Sequence, residues 1–159
     1  QAELGPLTNR QQLERVKALV ADAREHGAVI HTGGTQPDGP GYFFAPTIIS
    51  GIGAGVALVD EEQFGPVLPV IAFDDVEDAI RQANASPFGL GASVWTRDVD
   101  QGEAVVRRLD AGLAWVNQHL DVYPGAPKGG YKWSGLGYEG GARGYDAFSD
   151  LQVINIARH

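Results

Sequence analysis

Residues 61–67 read Glu61-Glu62-Gln63-Phe64-Gly65-Pro66-Val67, an acidic pair and an aromatic ring before a Gly-Pro turn, and the apolar run 67–73 follows. Charges are normally kept away from a buried strand, since burying a charge is costly. A carboxylate accepts hydrogen bonds from hydroxyl groups, and a ring two residues later can pack against a flat group. The spacing is therefore compatible with two interpretations. Either the pair is solvated and Phe64 lies in the core, or the set holds a ligand with one polar and one flat end.

The composition of the chain is that of one ordinary globular domain. The sequence has 159 residues, 43% hydrophobic and 20% charged, which is typical of a protein that folds in water. Its net charge of −8 disfavours nucleic acid or an anionic membrane as a partner. No apolar run reaches the ~20 residues of a membrane-spanning helix, and no leader segment opens the chain. We therefore expect a cytoplasmic protein.

Two residue types are missing from the sequence. It contains no cysteine, which excludes disulfides, cysteine metal sites and a cysteine nucleophile within this chain. It contains no methionine and begins at Gln1, so we expect that an initiator was lost or that the polypeptide starts further upstream. The histidines show no metal-ligand spacing with one another or with an acid, and we predict no metal site; they are His26, His31, His119 and His159.

Helix and strand patterns alternate over the first 117 residues. A capping pattern at Thr8-Asn9 predicts a helix to Glu25 with apolar residues three and four apart: Leu13, Val16, Val20 and Ala23. Acidic caps before residues 76 and 99 predict two more helices. Strands are predicted at residues 28–31, 56–59, 67–73, 90–96 and 113–117, with an extended edge segment at 42–49 that contains Pro46. The run 67–73 has the pattern of a strand covered on both faces. This order indicates an α/β fold with a mostly parallel sheet and crossover helices.

The segment 118–145 differs in kind, with eight glycines between Gly125 and Gly144. Residues 135–140 match a dinucleotide-binding fingerprint as a string, but no apolar strand precedes them and no ribose-binding acid follows, so a packed turn is predicted. Lys128 and Lys132 flank a glycine turn and are expected to be solvated. Glu139 stands alone among apolar residues and glycines, either held by backbone N–H groups or used as an acid or base. An alternating strand is predicted at 148–156.

In their order and separations, these motifs resemble the C-terminal part of the aldehyde dehydrogenase superfamily. The resemblance runs through almost the whole chain and rests on Gly41-Tyr42-Phe43-Phe44-Ala45-Pro46-Thr47, the motif at 61–67, Asn84-Ala85-Ser86-Pro87-Phe88-Gly89-Leu90, Trp115-Val116-Asn117 and Gly129-Gly130-Tyr131-Lys132 with Ser134, Gly135 and Glu139. It implies that residues 1–148 form part of a catalytic domain and that residues 149–159 form an oligomerisation strand. A homo-oligomer, dimer or tetramer, would follow from that strand.

The resemblance also implies a reaction: NAD(P)-dependent oxidation of an aldehyde to a carboxylic acid. In such enzymes a cysteine thiolate forms a thiohemiacetal, hydride passes to the nicotinamide, and a glutamate base assists hydrolysis of the thioester. The cysteine, the base and the cofactor-binding half would all precede residue 1. The chain alone is therefore expected to be inactive.

Five residues are implied to bind the cofactor. Glu62 occupies the position that bonds the nicotinamide ribose, and Phe64 and Leu90 occupy positions beside the nicotinamide. Gln12 and Arg15 fall on a helix that faces the diphosphate and ribose side.

Four residues are implied to shape the substrate entrance or a proton path. The loop 117–128 includes Asn117, His119 and Lys128. Many members of the superfamily have an aromatic residue at the position of Lys128. A lysine there indicates either a polar or acidic substrate or a role unrelated to the substrate. Glu139 matches a buried glutamate proposed to join a proton path.

Two alternatives stay open at this point. The missing cysteine is compatible with a non-catalytic module whose last strand adds to a partner's sheet. The second alternative is a reductase of the same fold that acts on an acyl-phosphate or acyl-thioester.

Overall fold

The computed structural model describes residues 4–158; the first residues of the predicted catalytic portion and His159, the end of the predicted last strand, lie outside the described residues. The chain divides into two compact units, Gln1–Ala72 and Phe73–His159. The boundary falls at the end of the apolar run 67–73 rather than in a polar or flexible linker. For this reason the sequence pattern did not reveal it.

Helix α1, Arg10–Glu25, is the main helix of the first unit. The Asn9 side chain caps it by accepting a hydrogen bond of 2.8 Å from the Gln12 backbone N–H. One face of the helix is buried and packs against residues of the strands and of the short helix described below; its members are Leu13, Val16, Leu19, Val20 and Ala23. The predicted cap and apolar stripe are confirmed.

A three-stranded sheet completes the first unit, with β1 at Val29–Thr32, β2 at Thr47–Ser50 and β3 at Val67–Pro69. Strand β2 lies in the centre, antiparallel to β1 and parallel to β3. The predicted edge position for this segment is therefore wrong. Pro46 is accommodated because it lies just before β2, where the ladder begins with the Thr47 N–H donating to the Pro66 carbonyl at 2.8 Å.

The predicted strand at 56–59 is a helical turn, α2, at Ala57–Asp60. The Asp60 carboxylate accepts a hydrogen bond of 2.8 Å from the Gly55 N–H, which folds the segment back on itself. Leu58 is fully buried in the core of the unit. Periodicity could not separate the two structures here, because a four-residue apolar run fits either one.

The second unit contains the predicted strand–helix–strand crossover. Helix α3, Val76–Ala85, precedes β4, Phe88–Gly89, and β5, Gly91–Val94. Helix α4, Val99–Val106, then leads to β6, Leu113–Val116, which pairs with β5 in parallel. The predicted caps are confirmed, since Asp75 accepts from the Asp78 N–H at 2.8 Å and Asp98 from the Gln101 N–H at 3.0 Å.

Arg108 connects the end of the α4 segment to α3. Its guanidinium donates to both carboxylate oxygens of Glu77, at 2.7 and 2.5 Å. These hydrogen bonds hold the pKa of the Glu77 carboxyl below its usual value and raise the pKa of Arg108. The pair therefore favours the folded state above the ordinary pKa of a glutamate, and that contribution is lost as the pH falls through the lowered value. Because the pair is exposed, water screens it strongly.

The glycine-rich segment folds into β7, Tyr131–Lys132, which pairs antiparallel with β4, and the short helix α5, Gly141–Asp146. A side chain at Gly112 would place its Cβ only 1.5 Å from the Gly129 carbonyl oxygen. Gly135, Gly137 and Gly140 have φ of +139°, +85° and +71°, a region that residues with a side chain rarely adopt. The fingerprint-like string is thus a glycine turn, as predicted from its context, but Leu136 within it is fully exposed, so the turn is not packed as expected.

The predicted strand at 148–156 does not form within the chain. Residues 151–158 have no regular structure, and Leu151, Val153 and Ile156 are exposed. An isolated extended segment is not stable by itself, because its backbone groups need a partner strand, and the described residues provide none.

The apolar run 67–73 is also less covered than predicted. Only its first three residues form β3, and Leu68, Val70 and Phe73 are exposed. The sequence pattern predicts a strand that is buried on both faces, whereas in this chain only one face of the strand is buried.

Candidate functional site

Residues 61–66 form a loop between α2 and β3 that presents two side chains to solvent. The ring of Phe64 is 73% exposed, and Phe64 has a φ of +44°, in the left-handed region. The interpretation that places Phe64 in the core is therefore wrong. Glu62 is also exposed, and within residues 4–158 its carboxylate has no hydrogen-bond or ion-pair partner.

Helix α1 holds this loop through two side chains. The Gln12 Nε2 donates to the Gln63 carbonyl at 2.6 Å and to the Phe64 carbonyl at 3.2 Å. The Arg15 Nη2 donates to the Glu62 carbonyl at 3.0 Å and lies 3.3 Å from the Glu61 carboxylate. The structure thus brings together four of the five predicted cofactor residues, in the first unit.

Two further contacts fix the loop, and sequence reasoning missed both. A Cβ at Gly65 would lie 2.5 Å from Cγ2 of Val16 on α1, so that only glycine permits this close approach of the loop. The Gln63 side chain donates to the Val67 carbonyl at 2.7 Å, at the start of β3. The sequence Phe64-Gly65-Pro66 was the available signal for the close approach of Gly65 to Val16, because a glycine at such a position often marks a close backbone contact.

The loop has the chemistry expected of a site for a nicotinamide ribose. An exposed, unpartnered carboxylate accepts hydrogen bonds from vicinal hydroxyls, and an exposed ring packs against a flat heterocycle. Side chains of α1 hold the backbone of the loop by hydrogen bonds, so the Cα atoms of Glu62 and Phe64 have fixed positions. Glu62 and Phe64 therefore fit the group that the sequence resemblance implies.

The second unit contains a cleft of about 590 Å³. Its walls are mainly apolar and include Leu90, which is 59% exposed. The rest of the lining includes Trp115, His119, Lys128 and Glu139. The ring of His119 lies edge-on to Trp115 with 5.3 Å between the ring centroids. The predicted residues Leu90, His119, Lys128 and Glu139 thus share one cavity.

Glu139 is not buried, contrary to the expectation. Its side chain is 85% exposed, and its carboxylate lies 3.6 Å from the Lys128 Nζ. The backbones of the two residues also exchange hydrogen bonds of 2.6 and 2.7 Å. This antiparallel bridge places Glu139 at an open rim, where water reaches it.

Asn117 stabilises the end of β6 instead of projecting into the cleft. Its side chain accepts from the Thr96 N–H at 2.8 Å and donates to the Thr96 carbonyl at 2.8 Å. Its φ is +56°, a conformation that asparagine tolerates better than most residues.

The position of Lys132 beside a glycine turn predicts a solvated side chain, and this prediction is wrong. The Lys132 ammonium donates to the carbonyls of Asn84 and Ser86 at 2.7 and 3.0 Å, at the C-terminal end of α3. It also lies 3.4 Å from the Asp110 carboxylate. A cation at the end of a helix satisfies carbonyl groups that lack helical partners.

The family model described as aldehyde dehydrogenase family matches residues 1–154, and the chain belongs to that family. It is 40% identical over 156 residues to a succinate-semialdehyde dehydrogenase of Paenarthrobacter nicotinovorans, a match that covers 98% of this chain and 35% of the relative. It is 39% identical over 155 residues to succinate-semialdehyde dehydrogenase [NADP(+)] 1 of Mycobacterium tuberculosis, covering 98% and 34%.

Solved structures agree with the sequence relatives. The NAD+ complex of the aldehyde dehydrogenase of Bacillus cereus matches with a TM-score of 0.89 and 38% identity, over 94% of this chain and 30% of that one. The predicted family and α/β fold are confirmed. The chain spans about a third of the length of the relatives that it matches. Within residues 4–158, none of the helices is both long and apolar enough to cross a membrane.

Proposed function

We propose that this chain is the C-terminal part of an NAD(P)-dependent aldehyde dehydrogenase that oxidises an aldehyde to a carboxylic acid. The main support for this proposal is the structure of the loop 61–66. Its Glu62 and Phe64 side chains are exposed, and its backbone is held by hydrogen bonds from α1. In the whole enzyme the chain would supply the wall beside the nicotinamide and the rim of the substrate cleft.

The exposed surface supports the proposal that the chain is part of a longer protein. Its accessible surface is 11719 Å². A single folded protein of 16.9 kDa exposes roughly 7,700 Å², and two separate units of half that mass roughly 9,300 Å² together. The excess includes apolar side chains such as Leu68, Val70 and Phe73. A further part of the enzyme would cover them and complete the predicted two-sided burial of the run 67–73.

NAD or NADP would contribute the hydride-accepting nicotinamide ring. For this chain we assign the Glu62 carboxylate to the ribose hydroxyls of that half of the cofactor and the Phe64 ring to a position beside the nicotinamide. Leu90, which lies in the second unit and lines its cleft, stays a predicted cofactor-binding residue. The relatives' names include both NAD+ and NADP+, and the proposal therefore covers both cofactors.

The cleft in the second unit is our candidate for the aldehyde entrance, with His119 and Lys128 in its lining. Asn117 shapes it from outside, by fixing the end of β6. Glu139 lies at the rim of this cleft and pairs with Lys128, and it stays a candidate member of a proton path in the whole enzyme, where further chain would cover it. The cytoplasm remains the predicted compartment.

The test is an assay of the full-length polypeptide that contains this chain. With NAD+ or NADP+ and a panel of aldehydes, we expect formation of reduced nicotinamide together with the corresponding acid. Reduction of an acyl-phosphate or acyl-thioester without aldehyde oxidation would indicate the reductase instead. Binding to partners with neither activity would indicate the non-catalytic module.

We also propose that residues 149–159 add a strand to a neighbouring subunit and so build a dimer or tetramer. Their apolar side chains are exposed, and the alternation seen in the sequence lacks a partner strand among the described residues of this chain. Adding such a segment to a sheet edge would satisfy its backbone groups and bury its apolar face.

Deleting residues 149–159 from the full-length protein is expected to shift it to a smaller assembly, since each subunit would lose its added strand. Light scattering after size-exclusion chromatography measures the change in mass. Replacing the same eleven positions with a Gly/Ser segment is the matched control for length, and it should have the same effect. An unchanged mass in both variants would exclude this role for the tail.

A further inference from the structure

We propose that Lys132 is a positioning residue for the cleft of the second unit. It sets the place of the cleft wall 128–139 relative to Leu90 and does not touch the substrate. Both of these parts line the cleft, and the side chain of Lys132 holds together the two segments that carry them, 84–90 and 128–139. This inference rests on the proposed function, which assigns the cleft to the aldehyde.

The ammonium group of Lys132 is anchored at the C-terminal end of α3. A lysine ammonium has three hydrogens and no acceptor. Lys132 donates to the carbonyls of Asn84 and Ser86, at 2.7 and 3.0 Å, and the Asp110 carboxylate lies 3.4 Å from its Nζ. Carbonyls at this end of a helix lack helical partners and attract a cation. Three acceptors thus match the three hydrogens, and the anchor holds the ammonium on α3.

The backbone on both sides of Lys132 belongs to the cleft. The lining found among the described residues includes Gly130 and Ser134 but not Lys132 itself. Lys132 lies in β7, which pairs with β4, and Leu90 directly follows β4. The Ser134 hydroxyl also accepts a hydrogen bond of 2.9 Å from the Gly89 N–H. Lys132 therefore connects this two-stranded sheet to α3, while its neighbours form the wall of the cleft.

The backbone conformation of Lys132 needs support from its surroundings. Its φ is +54°, in the left-handed region that residues with long side chains rarely adopt. Such a conformation persists only where the surrounding contacts impose it, and the ammonium contacts are among them. Without the ammonium we expect β7 to relax toward an ordinary φ. Gly130 and Ser134 would then shift in the cleft wall.

The experiment compares Lys132→Met with Lys132→Arg in the full-length protein. Methionine keeps the unbranched side chain without the ammonium, whereas arginine keeps a cation that can donate to the same carbonyls. Lys17→Met is the control for loss of a lysine charge, because Lys17 lies on α1 in the first unit and pairs there with Glu14 and Gln36. Steady-state kinetics with saturating NAD(P)+ would be measured for the smallest and the largest aldehyde that the unsubstituted protein oxidises.

We expect Lys132→Met to raise the KM of the larger aldehyde by about tenfold and that of the smaller one by less than about threefold, because only the larger one reaches the shifted wall. The kcat for either aldehyde should change by less than about threefold, since the wall does not contain the nucleophile. Lys132→Arg should return the KM of the larger aldehyde to within about threefold of the original value. Lys17→Met should change no constant by more than about twofold.

A lower Tm of Lys132→Met with an unchanged ratio of the two KM values would overturn the positioning role and leave a role in stability alone. A larger effect on aldehydes that carry a carboxylate than on uncharged aldehydes of the same length would indicate direct contact with the ammonium, and it would also overturn the proposal. Failure of Lys132→Arg to restore the KM would do the same.

Asp110→Asn provides a second test if Lys132→Met does not fold. It weakens the same anchor at a residue outside the described lining of the cleft, and it should raise the KM of the larger aldehyde by about threefold. An unchanged KM in this variant would count against the proposal. If the unsubstituted protein oxidises no aldehyde with either nucleotide, the proposed function itself is overturned.

Discussion

The 159-residue chain by itself is expected to oxidise no aldehyde with either NAD+ or NADP+. The proposed reaction needs a cysteine thiolate to attack the carbonyl carbon, and the sequence contains no cysteine. A serine or threonine cannot substitute at neutral pH without an adjacent base that activates it. The loss is therefore complete and not a matter of weaker binding.

The measurement is the rate of reduced-nicotinamide formation by the purified chain, with the full-length protein assayed at equal molar concentration. Mass spectrometry of the purified chain guards against traces of the longer form. Reproducible turnover that scales with the amount of pure chain would show that the covalent mechanism is wrong for this protein. An active full-length protein beside an inactive chain is the expected pair of results.

Replacing Glu62 by Gln in the full-length protein is the second change with a large expected effect. The substitution keeps the shape of the side chain but removes the charge from the acceptor of the ribose hydroxyls. Hydrogen bonds to charged groups contribute about 1.5–3 kcal/mol, so we expect hydride transfer to slow by roughly 10- to 100-fold. The nicotinamide would then occupy its productive position less often.

Single-turnover kinetics with saturating cofactor measures this step apart from product release. Glu14→Gln is the matched control, because Glu14 is an exposed carboxylate on α1 that pairs with Lys17 and lies outside the proposed site. It should leave the rate unchanged. A wild-type rate in Glu62→Gln would exclude the ribose role.

Local signals in the sequence were sufficient for several elements. Asn9, Asp75 and Asp98 cap the helices that they predict, because a cap depends on residues only two or three positions away. The parallel pairing of β5 with β6 through α4 followed from the order of short apolar runs and capped helices. The acidic pair and the ring at 61–64 marked the candidate site for the same reason.

Other features needed contacts between residues far apart in the chain. The backbone held by Gln12 lies 51 positions away from it, and no spacing rule connects the two. Lys132 binds carbonyls that precede it by more than forty residues. The burial that the family resemblance implies for Glu139 is not present in this chain, because burial depends on covering segments that can lie far away in sequence, and the chain spans about a third of its relatives.

By itself, the sequence determined the family, the alternation of helices and strands, and the residue types that could hold a nicotinamide ribose, since these depend on composition and short spacings. The tertiary structure decided that Phe64 is exposed and left-handed, that α1 fixes the loop beneath it, and that the tail has no partner strand in the described chain. The physical reason is that exposure and hydrogen-bond partners are properties of surfaces brought together by folding. A side chain's neighbours along the chain do not specify them.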